Sequence, residues 1–308
     1  MVRKNSNPSL NKIVVTGSTG FVGTNLVSNL LSQNFKVIGI SKKKQKSLKN
    51  FLPIKKNISN IQNSHIKHNF SKIIHTAALT DVKFCENNPS QCYKTNVTGT
   101  ENILEIARKK NASVIFLSTN HVYGNPKTLP VKEDSSLTPQ SIYSSSKKLC
   151  ETLCETYSKL YGLDITVLRL FSVFGPNSPP ANLIFKIVHD IIHENKIKIG
   201  NLKPKRDFIF INDVIDAIKL IINSQKKGFH VYNIGSGKSL SVKELCKTVL
   251  QISNKNMPII SEKSRFRKND ILDVISNNSK MKFDFNWIPQ TTLYDGLRLT
   301  YDYYLNKH

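Results

Sequence analysis

The sequence predicts an α/β protein: a doubly wound parallel sheet covered by helices, with a smaller α/β region toward the C-terminus. Two observations carry this. Through the first two thirds of the chain, short apolar runs alternate with longer amphipathic stretches, the pattern of βαβ units. The first apolar run also feeds directly into a glycine-rich turn and a helix, Thr16-Gly17-Ser18-Thr19-Gly20-Phe21-Val22-Gly23, the strand–turn–helix context in which such glycines have a backbone role.

Each element follows from its own residues. Strands are predicted at Lys12 to Thr16, Lys36 to Ile40, Ile54 to Lys56, Lys72 to His75, Ser113 to Ser118 and Asp164 to Leu170. Helices are predicted between them, most clearly at Gly20 to Ser32, Pro89 to Lys109 and Ile142 to Tyr161, the last ended by Gly162, which can take a left-handed cap. After Gly175-Pro176 the pattern changes. A Pro/Asn/Ser loop leads to a helix at Leu183 to Glu194, short strands around Lys196 to Ile199 and Asp207 to Ile211, and helices at Asn212 to Asn223, Ser241 to Ile252 and Thr291 to Asn306.

Composition narrows the function classes. With 308 residues, 39% hydrophobic and 21% charged, the chain can bury a large core. A formal charge of +24 raises polyanionic partners. Lysines are nevertheless spread along the whole chain, and no zinc-finger spacing, basic zipper or aromatic RNA-binding signature is present. The expectation is a solvated basic surface and no nucleic-acid partner. Five cysteines without a C-x-x-C pair make no disulfide framework and fit a reducing compartment. The polar N-terminus has no separate apolar segment of a signal peptide, and no run of about 18 apolar residues could span a bilayer. A cytoplasmic protein with no membrane partner is expected.

In the glycine turn, Gly17 permits the tight bend, Gly20 lets backbone N–H groups approach a pyrophosphate at the helix N-terminus, and Gly23 lets helix and strand pack closely. The fold is thus of Rossmann type and the cofactor a dinucleotide, NAD(P). An acid usually ends the second strand and holds the ribose 2′-hydroxyl of NAD. Here the strand runs into Ser41-Lys42-Lys43-Lys44, and a hydroxyl beside ammonium groups suits a 2′-phosphate, which favours NADP over NAD.

Tyr143-Ser-Ser-Ser-Lys147 places a phenol and an ammonium one turn apart on a helix face. A nearby ammonium favours phenolate and lowers a tyrosine pKa from about 10. Such a phenol can take a proton from a sugar hydroxyl as hydride leaves, or return it. Ser118-Thr119-Asn120-His121-Val122-Tyr123-Gly124 ends the preceding strand, where open α/β sheets place their chemistry. Thr119 there can hydrogen-bond the reacting oxygen and orient it.

The chain resembles the extended short-chain dehydrogenase/reductase family of nucleotide-sugar epimerases, dehydratases and reductases. In order, the matching segments are Thr16 to Gly23, His75-Thr-Ala-Ala78, Asn96-Val-Thr-Gly99, Ser118 to Gly124, Tyr143 to Lys147, Leu168-Arg-Leu-Phe171-Ser172-Val173-Phe-Gly-Pro176, Arg206-Asp-Phe-Ile-Phe-Ile-Asn-Asp213 and Asn233-Ile-Gly-Ser-Gly237. The resemblance implies Thr119, Tyr143 and Lys147 as catalytic residues. It implies a cofactor shell of Gly17, Thr19, Gly20, Phe21, Val22, Gly23, Ser41, Lys42, Asn57, Ile58, Ala77, Ala78, Asn96, Tyr143, Lys147, Phe171 and Val173. For a nucleotide-diphosphate sugar it implies Thr80, Thr119, Asn120, Tyr143, Ser172, Asn182, Arg206 and Arg267, the two arginines on the diphosphate. No metal is implied. A homodimer through the helices at Pro89 to Lys109 and Ile142 to Tyr161 is expected by the same likeness. Residues 11–175 with about 207–235 would hold the cofactor, about 176–206 and 236–308 the substrate, and 1–10 form a tail.

Departures from relatives order the possible reactions. Dehydratases carry Asp-Glu where this chain has Asn120-His121, which disfavours 4,6-dehydration. The long C-terminal region with its arginines resembles a 4-epimerase of the UDP-glucose type, although Ser172 stands where many have Asn and Thr80 where some have Lys. The Ala77 to Val82 and Ser118 to Tyr123 segments resemble the NADPH-dependent reductases of dTDP-4-keto-6-deoxy sugars. Epimerase leads, reductase follows, dehydratase is third, and a non-catalytic NADP-sensing protein is the last alternative, disfavoured because Tyr143 and Lys147 are both present.

Overall fold

The computed structural model describes residues 12–266 and 271–307. The described residues of Met1–Ser118, Ser141–Leu168 and Ile218–Val231 form one compact unit, and those of Thr119–Gln140, Arg169–Ala217 and Tyr232–His308 a second.

In chain order, β1 (Lys12–Thr16) leads through α1 (Phe21–Ser32) to β2 (Lys36–Ser41) and β3 (Phe51–Lys55). β4 (Lys72–His75) is followed by α2 (Val82–Asn87), α3 (Pro89–Tyr93) and α4 (Gly99–Lys110), then by β5 (Ser113–Thr119), α5 (Ile142–Tyr161) and β6 (Ile165–Leu170). Beyond these come β7 (Ser172–Phe174), α6 (Leu183–His193), β8 (Ile197–Ile199), β9 (Lys205–Phe210), α7 (Ile211–Asn223) and β10 (Phe229–Ile234). The chain continues with β11 (Ser239–Ser241), α8 (Val242–Ser253), β12 (Ile259–Ser261), α9 (Ser279–Phe285) and α10 (Leu293–Leu305).

The expected doubly wound parallel sheet is the fold found. Its seven strands run β3-β2-β1-β4-β5-β6-β10, so the chain grows one way from β1 and then, after β3, the other way from β4. The crevice at the carboxyl ends of β1 and β4 is therefore the topological switch point, where such sheets bind ligands. Register aligns Ile40, Thr16, His75 and Phe116 in one row at that edge. Beneath it, Ile103, Leu104 and Ala107 of α4 and Cys150 and Cys154 of α5 pack against Val14, Ile73, Val114 and Phe116. Each fully buried aliphatic side chain contributes about 1.5–3 kcal/mol relative to exposure.

Three differences from the sequence reading have physical causes. β3 begins at Phe51, three residues before the prediction, and contains Pro53. Proline cannot donate to a ladder, but β3 is an edge strand, where its missing N–H is harmless. The helix predicted over Pro89 to Lys109 is a run over Pro89–Lys110 with a π-turn at Lys94–Thr98 in its middle. The short or half-exposed elements α2, β7, β10, β11, β12 and α9 were not predicted, since three to seven residues carry little periodicity.

In the second unit β7, β9 and β11 make a small sheet, and β8 pairs with β12. Buried Asp207 of β9 ties its loops together, accepting from Ser236 N (2.6 Å), Gly237 N (3.0 Å), Ser276 N (3.0 Å) and the hydroxyls of Ser236 (2.7 Å) and Ser276 (2.6 Å).

Candidate active site

The glycine turn is built for close backbone approach. Gly17 has φ +67°, and a Cβ there would lie 2.8 Å from the Ala77 backbone. A Cβ on Gly23 would lie 2.1 Å from the Gly17 carbonyl oxygen, so α1 can pack on the turn only without a side chain at that position. Exposed Gly20 is the N-cap of α1, with no side-chain cap and no acid in the first turn. The first-turn N–H groups and the positive end of the helix dipole are left for an outside anion. This cradle fits the pyrophosphate of a dinucleotide.

A hydrogen-bonded chain fixes the cradle to the neighbouring strands. The Thr76 hydroxyl donates to Thr16 O (2.6 Å), and Ala77 N donates to Thr16 Oγ1 (3.2 Å). Thr16 Oγ1 lies 2.7 Å from His75 Nδ1, His75 Nε2 lies 3.1 Å from Thr100 Oγ1, and Thr100 Oγ1 donates to Asn96 O (2.6 Å). Burial, with the Lys147 charge added, pushes the His75 pKa down to about 3. His75 is therefore neutral, and with Thr100 donating onward, its proton belongs on Nε2.

The π-turn has a use here. It carries buried Asn96, whose Oδ1 accepts from Leu79 N (2.8 Å) while Nδ2 donates to Leu79 O (3.0 Å) and to Ser146 Oγ (2.9 Å). Ser146 Oγ in turn donates to Tyr143 O (2.7 Å). One amide thus spans the loop after β4 and the first turns of α5.

α5 is positioned at its start by a Ser141–Ser144 capping box and by Glu86 Oε1, which accepts from Ile142 N (2.8 Å). At its end Gly162, at φ +67°, closes the helix as expected. Tyr143 is buried among Leu79, Val82, Cys85 and Cys92. One turn on, Lys147 is buried with Nζ 4.0 Å from the Phe116 ring centroid. Burial pushes its pKa down, and the surrounding acids and thiols oppose that shift. A buried cation one helical turn from a phenol can stabilise phenolate, and the Phe116 register row places it two strands from the glycine turn.

The remaining predicted residues divide by unit. In the first, Ser41 is buried and its hydroxyl donates to Lys43 O (2.6 Å), while Lys42, Lys43 and Lys44 are exposed. Asn57 Oδ1 accepts from Ser59 N (3.2 Å), and Ile58 is core, lying where a Cβ on Gly99 would be 2.7 Å away. Ala78 and Val22 are half-buried beside the turn, Thr19 and Phe21 likewise, and Thr80 is exposed. In the second unit, buried Thr119 accepts from His121 N (3.2 Å), and its hydroxyl donates a long bond to Asn120 Oδ1 (3.5 Å between the oxygens). Phe171 is core with Val122 and Tyr123, and Ser172 lies in β7 opposite Phe208. Asn182 caps α6 through Ile184 N (2.9 Å) and donates to Val173 O (3.0 Å). Arg206 Nη1 donates to Lys205 O (2.8 Å) and Ile271 O (2.5 Å). Arg267 lies outside the described residues.

Sequence reasoning missed three groups that the structure uses. His75 was quoted within a motif without a role. Glu151 is buried on α5, one turn past Lys147, and accepts from the Ser118 hydroxyl; an acid continuing the Tyr143–Lys147 face was the available signal. In the second unit Arg169 donates to Tyr123 OH (2.9 Å), which donates to Asn233 Oδ1 (2.7 Å), and burial raises the Tyr123 pKa to about 12.

Comparison with known proteins agrees with this geometry. Residues 13–235 match the model of the NAD dependent epimerase/dehydratase family. A UDP-glucuronate 4-epimerase of Thermodesulfobacterium geofontis is 31% identical, covering 93% of this chain and 94% of the relative. Among solved structures, UDP-glucose 4-epimerase of Thermotoga maritima with UDP-glucose is 27% identical, covers 96% of this chain and 99% of that one, and has a TM-score of 0.87. UDP-glucuronic acid 4-epimerase of Bacillus cereus, in complex with UDP-glucuronic acid and NAD, is 27% identical with a TM-score of 0.89, covering 96% and 100%. The chain belongs to the NAD-dependent epimerase/dehydratase family, within the extended short-chain dehydrogenase/reductases.

Proposed function

We propose that this chain is a UDP-sugar 4-epimerase, acting on a UDP-hexose or UDP-hexuronate as a cytoplasmic homodimer. The observation that carries the reading is Lys147, a buried ammonium on α5 one turn from Tyr143 and over the ring of Phe116, which shares a register row with Thr16 at the start of the glycine turn. Tyr143 takes the proton of the sugar C4 hydroxyl and returns it after the 4-keto sugar has turned its other face. Lys147 stabilises the phenolate, and the Thr119 hydroxyl, with its hydrogen weakly engaged, holds the reacting oxygen. The bound dinucleotide supplies the hydride acceptor and donor at C4. Gly17, Thr19, Gly20, Phe21, Val22 and Gly23 hold its pyrophosphate, Ala77, Ala78, Phe171 and Val173 line it, and Asn96 fixes that wall. Asn57, Ile58 and Ser41 lie toward the adenosine. Thr80, Asn120, Ser172, Asn182, Arg206 and Arg267 are the residues we assign to the nucleotide sugar. The segments 11–175 and about 207–235 serve the cofactor, and about 176–206 and 236–308 the sugar nucleotide. Support for epimerisation over a single reduction comes from two relatives that carry epimerase names, at 31% and 30% identity.

The test is incubation of the purified chain with UDP-glucose and UDP-glucuronate without added cofactor. Accumulation of the C4 epimers with the nucleotide retained is the expected result; stoichiometric consumption of NADPH by a 4-keto sugar would refute it. On cofactor choice, the loop after β2 offers exposed Lys42, Lys43 and Lys44, and no acidic residue precedes Asp81. We read this loop as accepting the 2′-phosphate of NADP. Replacing Lys42 and Lys43 with alanine should then weaken NADPH binding more than NADH binding, and equal effects would make the lysines bystanders.

A further inference from the structure

A charge this deeply buried needs a partner. Lys147 is 3% exposed and Glu151, four residues on, is 5% exposed. Positions four apart on a helix stand one above the other, about 5–6 Å between Cβ atoms. Glu151 is anchored from the sheet by the hydroxyl of Ser118, the residue before Thr119 in β5. We propose that Glu151 is a positioning residue for the proton chemistry at Tyr143: its carboxylate, held by Ser118, keeps the Lys147 ammonium charged and oriented.

The other groups around Lys147 cannot serve. His75 of β4 is neutral, and burial holds the thiols of Cys150 and Cys154 on α5 protonated. Cys92 of α3 directs its thiol to Ser146 Oγ at 3.7 Å, and β5 presents the Phe116 ring. Acids on elements packed against α5 are engaged elsewhere. Glu86 of α2 caps Ile142 N, and Glu105 of α4 holds Arg108 and the Tyr157 hydroxyl, with Glu101 on the same helix toward Tyr157. Desolvation works against the Lys147 ammonium; of the groups that oppose it, Cys150, Cys154, Glu151 and Cys92, Glu151 is the one carboxylate. Without Glu151 the lysine would release its proton at a lower pH, and the phenolate would lose its counter-charge.

This inference rests on the roles proposed for Tyr143 and Lys147, and its test is chosen to be independent of the substrate. Glu151→Gln keeps an acceptor for Ser118 and removes only the charge. Lysine labelled with 13C at Cε is titrated by NMR, the Lys147 signal being identified by its absence in Lys147→Met. A buried charge pair at this spacing should move the Lys147 midpoint down by about one to two pH units in the Gln variant, and the alkaline limb of UDP-sugar turnover should fall with it. A fall of less than about one unit would overturn the proposal, because a merely structural acid would lower turnover without moving that midpoint. Should Glu151→Gln not fold, Ser118→Ala takes its place: releasing the carboxylate from β5 should lower the Lys147 midpoint, and an unchanged midpoint overturns the proposal. A chain that converted no UDP-sugar would refute the epimerase reading and leave the lysine titration standing.

Discussion

Replacing Asn96 with alanine should loosen both walls of the proposed cofactor crevice. The side chain is 1% exposed and its amide makes three short bonds, to Leu79 N, Leu79 O and Ser146 Oγ. Alanine would leave Leu79 N without its acceptor, leave Leu79 O with only the weak Cys85 thiol donor at 3.7 Å, and remove the donor to Ser146. Each backbone group left unsatisfied costs about 1–3 kcal/mol, so the sum with the small cavity is about 3–5 kcal/mol. For a protein of this size about 1 kcal/mol corresponds to about 2–4 °C, giving a fall in melting temperature on the order of 10 °C. The assay is thermal unfolding followed by circular dichroism, with dinucleotide affinity measured below the transition. Affinity should also drop, because the loop carrying Ala77 and Ala78 and the first turns of α5 are both referenced to this amide. A melting temperature within about 3 °C of wild type would show that Asn96 does not hold Leu79.

Tyr143→Phe removes one hydroxyl from a residue otherwise packed among Leu79, Val82, Cys85 and Cys92; turnover should fall by about a thousandfold or more with the melting temperature nearly unchanged, and near-wild-type kcat would end the assignment. Gly23→Ala puts a methyl 2.1 Å from Gly17 O; α1 must shift, so loss of dinucleotide affinity together with stability is expected, and a fully stable, nucleotide-replete variant would contradict the packing described. For His75, the folded pKa of about 3 lies below the ordinary 6.5. The stability it contributes is complete above pH 6.5 and is lost as pH falls toward 3, at about 1.4 kcal/mol per pH unit. Urea unfolding should therefore weaken by about 2 kcal/mol between pH 6.5 and 5 on account of this group, and an equal slope in His75→Gln would assign the effect elsewhere.

The glycine turn, the parallel sheet and the Tyr143–Lys147 spacing were legible in the sequence because they are local. Chain direction, hydrophobic period and the backbone freedom of glycine act over a few neighbouring residues. The strand Lys12–Thr16, the helix Ile142–Tyr161 and its Gly162 cap could be read without tertiary context for that reason. What the sequence could not show was which polar side chains become internal. Asn96 and His75 could be named from motifs and Glu151 not at all, but none of them shows as internal until register sets Thr16, His75 and Phe116 in one row and packing brings α4 and α5 over it. Burial then makes each hydrogen bond obligatory and each charge dependent on a partner, since water no longer supplies either. The sequence by itself determined a dinucleotide cradle and a phenol–ammonium pair. Only the tertiary structure decided that the ammonium is sealed from solvent and that an acid one turn on, tied to the end of β5, stands beside it.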